Sequence, residues 1–258
     1  MVLIEGYIGP DPESRTPCRL YIERKQSNIP AMQQQLYFDV DDPERFEREF
    51  ADTGFTVIYT PGLLAPGKPN HRLITVDLER YVTRVFGSDY FGESKMGGLR
   101  MWNHLVYQRG GLAMHSGAKV FPAGQTASGE EELALIIGLS GTGKTTTTFR
   151  DVKGSLPVQD DFIALMPDGT VHATEDGCFA KTYGLDPDDE PTIHGGATAP
   201  SAWLENTFID PEGGRVDFFD DRYTRNGRVT FGLADIRHRD PRDLPVARHL
   251  FILNRNEN

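Results

Sequence analysis

Glu132-Leu133-Ala134-Leu135-Ile136-Ile137 runs directly into Gly138-Leu139-Ser140-Gly141-Thr142-Gly143-Lys144-Thr145-Thr146. The first six residues read as a buried strand, and Thr146–Arg150 as the beginning of a helix. The eight residues from Gly138 to Thr145 match G-x-x-x-x-G-K-[ST] in full, in the strand–loop–helix context that motif requires. Glycines let the backbone wrap closely enough for its N–H groups to point at phosphate oxygens, and the helix N-terminus adds partial positive charge. In that reading Lys144 neutralises the β- and γ-phosphates and the Thr145 hydroxyl ligates the nucleotide's cation. A nucleotide-binding P-loop is therefore expected, lined by Gly138, Leu139, Ser140, Gly141, Thr142, Gly143, Lys144, Thr145 and Thr146.

A metal-bound triphosphate also needs a carboxylate nearby, because hard cations prefer oxygen ligands. Val158-Gln159-Asp160-Asp161-Phe162 follows downstream and ends an apolar approach in two carboxylates. The pair reads either as a metal-binding end of a second strand or as a solvated Asp-Asp turn. Upstream, His115 follows the apolar Leu112-Ala113-Met114 and is open to two readings, a structural histidine or a metal ligand or base.

Farther out, the N-terminal part alternates strands and helices. Val2–Ile8 reads as a strand stopped by Gly9-Pro10-Asp11-Pro12, Arg19–Arg24 as a second strand, and Ala31–Phe38 as a short helix or strand. Asp41-Asp42-Pro43-Glu44 opens a helix that carries Phe46 and Phe50 on one face. Phe55–Tyr59 is a strand, Pro61–Pro69 a loop, Arg72–Val76 a strand, and Asp77–Tyr81 a turn or helix start. Gly92–Gln108 has helical spacing. From Leu156 onward short strands alternate with turns at Asp168-Gly169, Glu212-Gly213-Gly214 and Asn226-Gly227. The fold class predicted is α/β, with an N-terminal α/β domain over residues 1–88 and a β-rich, mixed-sheet P-loop domain over 89–258.

The chain has 258 residues, 38% hydrophobic and 25% charged, as a soluble globular protein would. Its net charge of −11 argues against non-specific binding to nucleic acid or anionic membranes. It carries 7 Lys against 20 Arg and 22 Asp against 16 Glu, a balance equally compatible with a salt-adapted source and with compositional drift. The two cysteines, Cys18 and Cys178, make neither a disulfide framework nor a zinc spacing. No apolar run reaches the ~18–20 residues of a membrane span, and the first residues lack a signal-peptide pattern. A cytoplasmic location is expected, with a monomer favoured.

The motifs taken together resemble ATP-dependent phosphoenolpyruvate carboxykinase. Gly138–Thr146 resembles that family's kinase loop. Asp89-Tyr90-Phe91-Gly92-Glu93-Ser94-Lys95, then Asn103 and Met114-His115-Ser116, resembles its Y-x-G-E-x-K…N…M-H segment. Asp160-Asp161 falls at its Asp-Asp metal site, Glu175–Thr182 resembles E-G-G-C-Y-A-K, and Glu205-Asn206 its E-N. Val216–Asp221 with Asn226-Gly227-Arg228 resembles V-D-[FY]-x-D-x…N-T-R. The similarity runs from about Ile4 to the C-terminus.

The resemblance implies the gluconeogenic reaction of oxaloacetate with ATP to give phosphoenolpyruvate, CO2 and ADP. It implies His115 and Asp161 as Mn2+ ligands and Thr145 as the Mg2+ ligand. Lys144 and Ser140 would contact phosphates, while Tyr90, Lys95 and Arg228 would contact substrate or γ-phosphate; Asp160 belongs to the same catalytic set.

Three departures stand beside it. Lys95-Met96 replaces the family's Lys-Lys, and a thioether is a poor ligand for Mn2+. The N-terminal G-R-S-P-K motif has no counterpart. The chain ends at Leu250–Asn258, within an expected core strand and its following loop, so the sequence reads as the N-terminal and central part of a longer protein without the adenine-binding segment. A kinase acting on another substrate without decarboxylation, and a non-catalytic nucleotide-binding module, are the rival readings.

Overall fold

The computed structural model describes residues 1–139 and 141–254, and the chain folds as two compact units, Met1–Gly110 and Gly111–Asn258. The first unit contains β1 (Val2–Ile8), β2 (Thr16–Ile22), α1 (Asn28–Leu36), α2 (Pro43–Thr53), β3 (Phe55–Thr60), β4 (Leu73–Asp77), β5 (Val82–Phe86) and α3 (Phe91–Gln108). Its five strands form one mixed sheet in the order β1-β2-β3-β5-β4. β2, β3 and β5 run parallel, and β1 and β4 pair antiparallel at the two edges.

Local chemistry explains the helix entries. Pro43 opens α2, and the Asp42 carboxylate accepts from the Arg45 N–H at 3.0 Å, satisfying a helix-end donor. Phe46 is buried beneath it and stacks on Phe50 at 5.9 Å. α3 packs on the sheet because Gly97 and Gly98 carry no side chain. A Cβ at Gly98 would lie 2.6 Å from Ile8 Cδ1, and one at Gly97 2.9 Å from Val57 Cγ1. The Thr83 hydroxyl donates to the Gly97 carbonyl at 2.9 Å. Through these contacts α3 belongs to the first unit, which extends to Gly110, past the boundary expected at residue 88.

The segment Asp77–Tyr81, expected as a turn or helix start, is the turn between β4 and β5. Asp77 Oδ1 accepts from the N–H groups of Glu79 and Arg80 at 3.1 and 3.0 Å. A short acidic side chain caps a turn and a helix by the same bond, so the local signal is shared. β5 itself lacked a sequence expectation.

The second unit contains β6 (Leu112–Met114), β7 (Ser116–Phe121), β8 (Glu132–Gly138), α4 (Lys144–Phe149), β9 (Leu156–Gln159), β10 (Ile163–Leu165), β11 (Val171–Ala173) and β12 (Gly177–Lys181). It continues with α5 (Pro191–Ala197), β13 (Trp203–Glu205), β14 (Phe208–Ile209), β15 (Val216–Asp217), β16 (Arg228–Gly232) and β17 (Ala247–Leu253). The main sheet has the order β17-β8-β7-β9, with β8 and β17 parallel and the other pairs antiparallel. Smaller sheets are β11-β10-β6, β12-β16-β13 and β14-β15. The unit is thus β-rich and mixed, as expected, and the chain as a whole is α/β.

Two apolar clusters hold this unit. One joins Ala118, Val120, Leu133, Leu135 and Val158 of the main sheet to Ile163 and Val171. The other gathers Phe149, Cys178, Ala180, Ile193, Val229 and Phe231. The strand expected at Leu250 is present as β17 at a sheet edge, and Leu250, Phe251 and Ile252 are exposed there.

Candidate functional site

β8 delivers the chain into the glycine-rich loop, and α4 begins at Lys144. Gly141 and Gly143 have φ of 77° and 86°, a left-handed backbone that residues with a Cβ adopt only under strain. The Leu139 carbonyl accepts from both the N–H and the hydroxyl of Thr142, at 3.2 and 2.8 Å. A Cβ at Gly138 would lie 2.4 Å from Thr142 Oγ1, so glycine is needed where the turn folds back. Ser140, an expected phosphate contact, lies outside the described residues. Leu139 is exposed, and Thr145 is half-buried.

α4 has only six residues, too short to be stable by itself. Tertiary contacts place it. The Lys119 ammonium, buried on β7, donates to the carbonyls of Thr147, at 2.8 Å, and Arg150. Burial pushes the Lys119 pKa down to about 8, against the opposing pull of Asp151. Gly117 on the same strand leaves room for Thr148, whose Oγ1 would lie 2.0 Å from a Cβ at that position.

The Lys144 ammonium donates to the backbone carbonyl of Asp160 at 2.8 Å, joining the loop to the acidic pair after β9. Asp160 is buried. Pairing of β6 with β10 sets Met114 opposite Ile163, which brings His115 to Asp161. His115 Nε2 lies 2.7 Å from Asp161 Oδ1, and the Asp161 carbonyl accepts from Ser116 N–H at 3.1 Å. The Asp-Asp turn is therefore an organised, hydrogen-bonded segment beside a histidine.

An imidazole nitrogen and a carboxylate oxygen this close, with the imidazole 67% exposed, suit a divalent cation that keeps open positions. Among the described residues no group of three His, Cys, Asp or Glu side chains could hold a metal ion. Further ligands of such an ion would thus be water, substrate or groups of another type.

Arg228 opens β16, in register with Lys181 of β12 and Glu205 of β13, and its guanidinium sits 5.7 Å from the centre of the Phe179 ring. Tyr90 and Lys95 stand in the first unit, at the start of α3. The Tyr90 carbonyl accepts from the Tyr59 hydroxyl at 2.8 Å, and Lys95 is buried.

Two residues of this neighbourhood were absent from the expectations. The Thr146 hydroxyl donates to the carboxylate of Glu190, 44 residues away. Gln159, buried at the end of β9, bonds across the acidic turn. Neither belongs to a local motif whose spacing would mark it.

The phosphoenolpyruvate carboxykinase family model matches residues 1–257. The chain is 33% identical over 235 residues to phosphoenolpyruvate carboxykinase (ATP) of Alkaliphilus oremlandii, covering 90% of this chain and 42% of that protein. It is 33% identical over 242 residues to the protein of the same description from Lysinibacillus sphaericus, covering 92% and 43%. For that of Thermus thermophilus the figures are 33% over 204 residues, 76% and 37%. The chain belongs to the phosphoenolpyruvate carboxykinase family. It spans about two-fifths of the length of these relatives. Among the described residues, no helix is long and apolar enough to cross a membrane.

Proposed function

We propose that the protein is an ATP-dependent phosphoenolpyruvate carboxykinase, converting oxaloacetate and ATP to phosphoenolpyruvate, CO2 and ADP in the gluconeogenic direction. The observation that carries this reading is the juxtaposition of a complete phosphate-loop motif with the His115–Asp161 pair, through Lys144 and the Asp160 carbonyl, in a chain of this family.

The loop acts as a P-loop. Its backbone N–H groups and Lys144 would cradle the triphosphate, and the Thr145 hydroxyl would ligate the nucleotide's Mg2+. His115 and Asp161 would hold Mn2+, and a bound ion would supply Lewis acidity to the enolate. In oxaloacetate the bond to the departing carboxyl group breaks, and its electron pair becomes the enolate. The enolate oxygen forms a bond to the γ-phosphorus as the bond to the ADP oxygen breaks. Lys144 and Arg228 neutralise the accumulating negative charge. The substrates are small molecules, and a net charge of −11 disfavours non-specific binding to nucleic acid.

The test is phosphoenolpyruvate formation from oxaloacetate, ATP and Mn2+ by the protein at its full native length. ATP- and metal-dependent product is expected. No product above background under any divalent metal would overturn the proposal. Met96, where a second lysine is the family pattern, favours the alternative of a kinase with another substrate.

A further inference from the structure

Gln159 closes β9 immediately before Asp160, and its side chain is 1% exposed. A primary amide has two acceptor sites and two N–H donors, and here all four are engaged. Its Oε1 accepts from the backbone N–H groups of Thr174, at 2.7 Å, and Glu175, at 3.3 Å. Its Nε2 donates to Thr174 Oγ1, at 3.1 Å, and to the carbonyl of Phe162, at 2.5 Å. The amide orientation is set by its partners: two backbone donors demand the oxygen on one side, and a carbonyl demands the nitrogen on the other.

The Phe162 carbonyl accepts from a second donor, Thr174 Oγ1, at 2.7 Å. Asp161 is thus pinned from both directions along the chain. Its own carbonyl takes the Ser116 N–H, next to His115, and the following carbonyl takes Gln159 and Thr174. The side chains of Gln159 and Thr174 that make these bonds are buried, where leaving a polar group unpaired is costly. The backbone on both sides of the Asp161 side chain, which meets His115, is therefore held in place.

We propose that Gln159 is a positioning residue for the candidate divalent-metal site. Its buried amide ties the Asp160–Asp161 turn to the Thr174–Glu175 backbone and sets where the Asp161 carboxylate stands against His115. The proposal rests on the metal-binding reading of His115 and Asp161. Groups that orient a metal ligand without touching the metal typically govern affinity about 10–100-fold. Gln159→Met keeps the length and burial of the side chain and removes all four hydrogen bonds.

The experiment titrates Mn2+ alone into the full chain, following free and bound Mn2+ by electron paramagnetic resonance. Urea unfolding is recorded in parallel. Gln159→Met is expected to bind Mn2+ about tenfold more weakly and to alter the spectrum of the bound ion, a signature that a loss of global stability does not produce. Thr174→Val removes the other donor to the Phe162 carbonyl while keeping the Thr174 N–H, and is expected to weaken binding about threefold on the same grounds. It serves as the test if Gln159→Met fails to fold. His115→Ala is the reference. Mn2+ affinity unchanged in His115→Ala would remove the metal reading and the role of Gln159 with it. Affinity lost in His115→Ala, with affinity and spectrum unchanged in folded Gln159→Met or Thr174→Val, would overturn the positioning role alone.

Discussion

The ammonium of Lys144 donates to the carbonyl of Asp160 across 2.8 Å, so one hydrogen bond links the first turn of α4 to the acidic turn after β9. Sixteen residues separate the two positions in the chain. The bond places the loop's cation at the edge of the turn whose next residue, Asp161, meets His115. The ammonium proposed to meet phosphate and the carboxylate proposed to meet metal are thereby kept in one neighbourhood.

Lys144→Ala should remove that charge and leave the Asp160 carbonyl one donor short. ATP affinity is expected to fall at least about tenfold, equivalent to about 1.4 kcal/mol. Stability should fall by about 1 kcal/mol, the usual net worth of one such bond. Calorimetric ATP titration and urea unfolding check the two effects separately. Unchanged affinity and activity would sink the nucleotide assignment.

Gly117→Ala should displace α4, since the new Cβ would meet Thr148 Oγ1 at 2.0 Å and Thr148 is fully buried. Overpacking of this kind typically costs about 1–3 kcal/mol. ATP binding should weaken with stability, because the same helix carries Lys144. Adding Thr148→Ala removes the clashing hydroxyl and is expected to restore part of both losses. A Gly117→Ala protein as stable as wild type would refute the tight seating of α4 on β7.

Lys119 predicts a pH dependence. Its pKa is depressed by burial to about 8 from an unfolded value of 10.5. Between those values the unfolded chain holds a proton that the folded chain has released, so stability rises with pH across that window. The favourable contribution is complete above the unfolded pKa and is lost as pH falls through about 8. Wild type compared with Lys119→Met, by urea unfolding from pH 7 to pH 10, should show the stability difference moving in favour of wild type as pH rises. A flat difference would mean that the ammonium is not penalised.

Met96 separates the carboxykinase reading from the alternative kinase. Met96→Lys brings residues 95–96 to the family's Lys-Lys pattern, and an amine nitrogen suits Mn2+ better than a thioether. Tighter Mn2+ binding is expected, with phosphoenolpyruvate formation preserved or raised. The measurement is steady-state turnover of both proteins with Mn2+ varied at saturating ATP. Undetectable turnover of oxaloacetate in both would leave the other kinase standing.

Several elements were legible because their information is local. The strand Val2–Ile8 has the bounds its apolar run predicts, and Asp42-Pro43 starts α2 through a cap three residues long. The strand, glycine loop and helix around Gly138–Lys144 follow from apolar periodicity and from the left-handed backbone that Gly141 and Gly143 permit. The residues by themselves left His115 and Asp161 each open to a plainer reading, and the family resemblance alone joined them as a pair. The pairing of β6 with β10 is what brings them within 2.7 Å.

What amino-acid order alone determined, then, was the glycine loop, several strands and helices, and the kinds of side chain offered for phosphate and metal. Backbone preference and apolar spacing act over a few residues, and a linear reading recovers them. Tertiary structure decided that Gln159 would spend its amide on Thr174, Glu175 and Phe162, that Glu190 would meet Thr146, and that α3 would pack with the first unit. A buried polar group must find partners wherever the fold supplies them, and those partners lie many residues away. Only the folded chain specifies which of many equivalent donors and acceptors comes within reach.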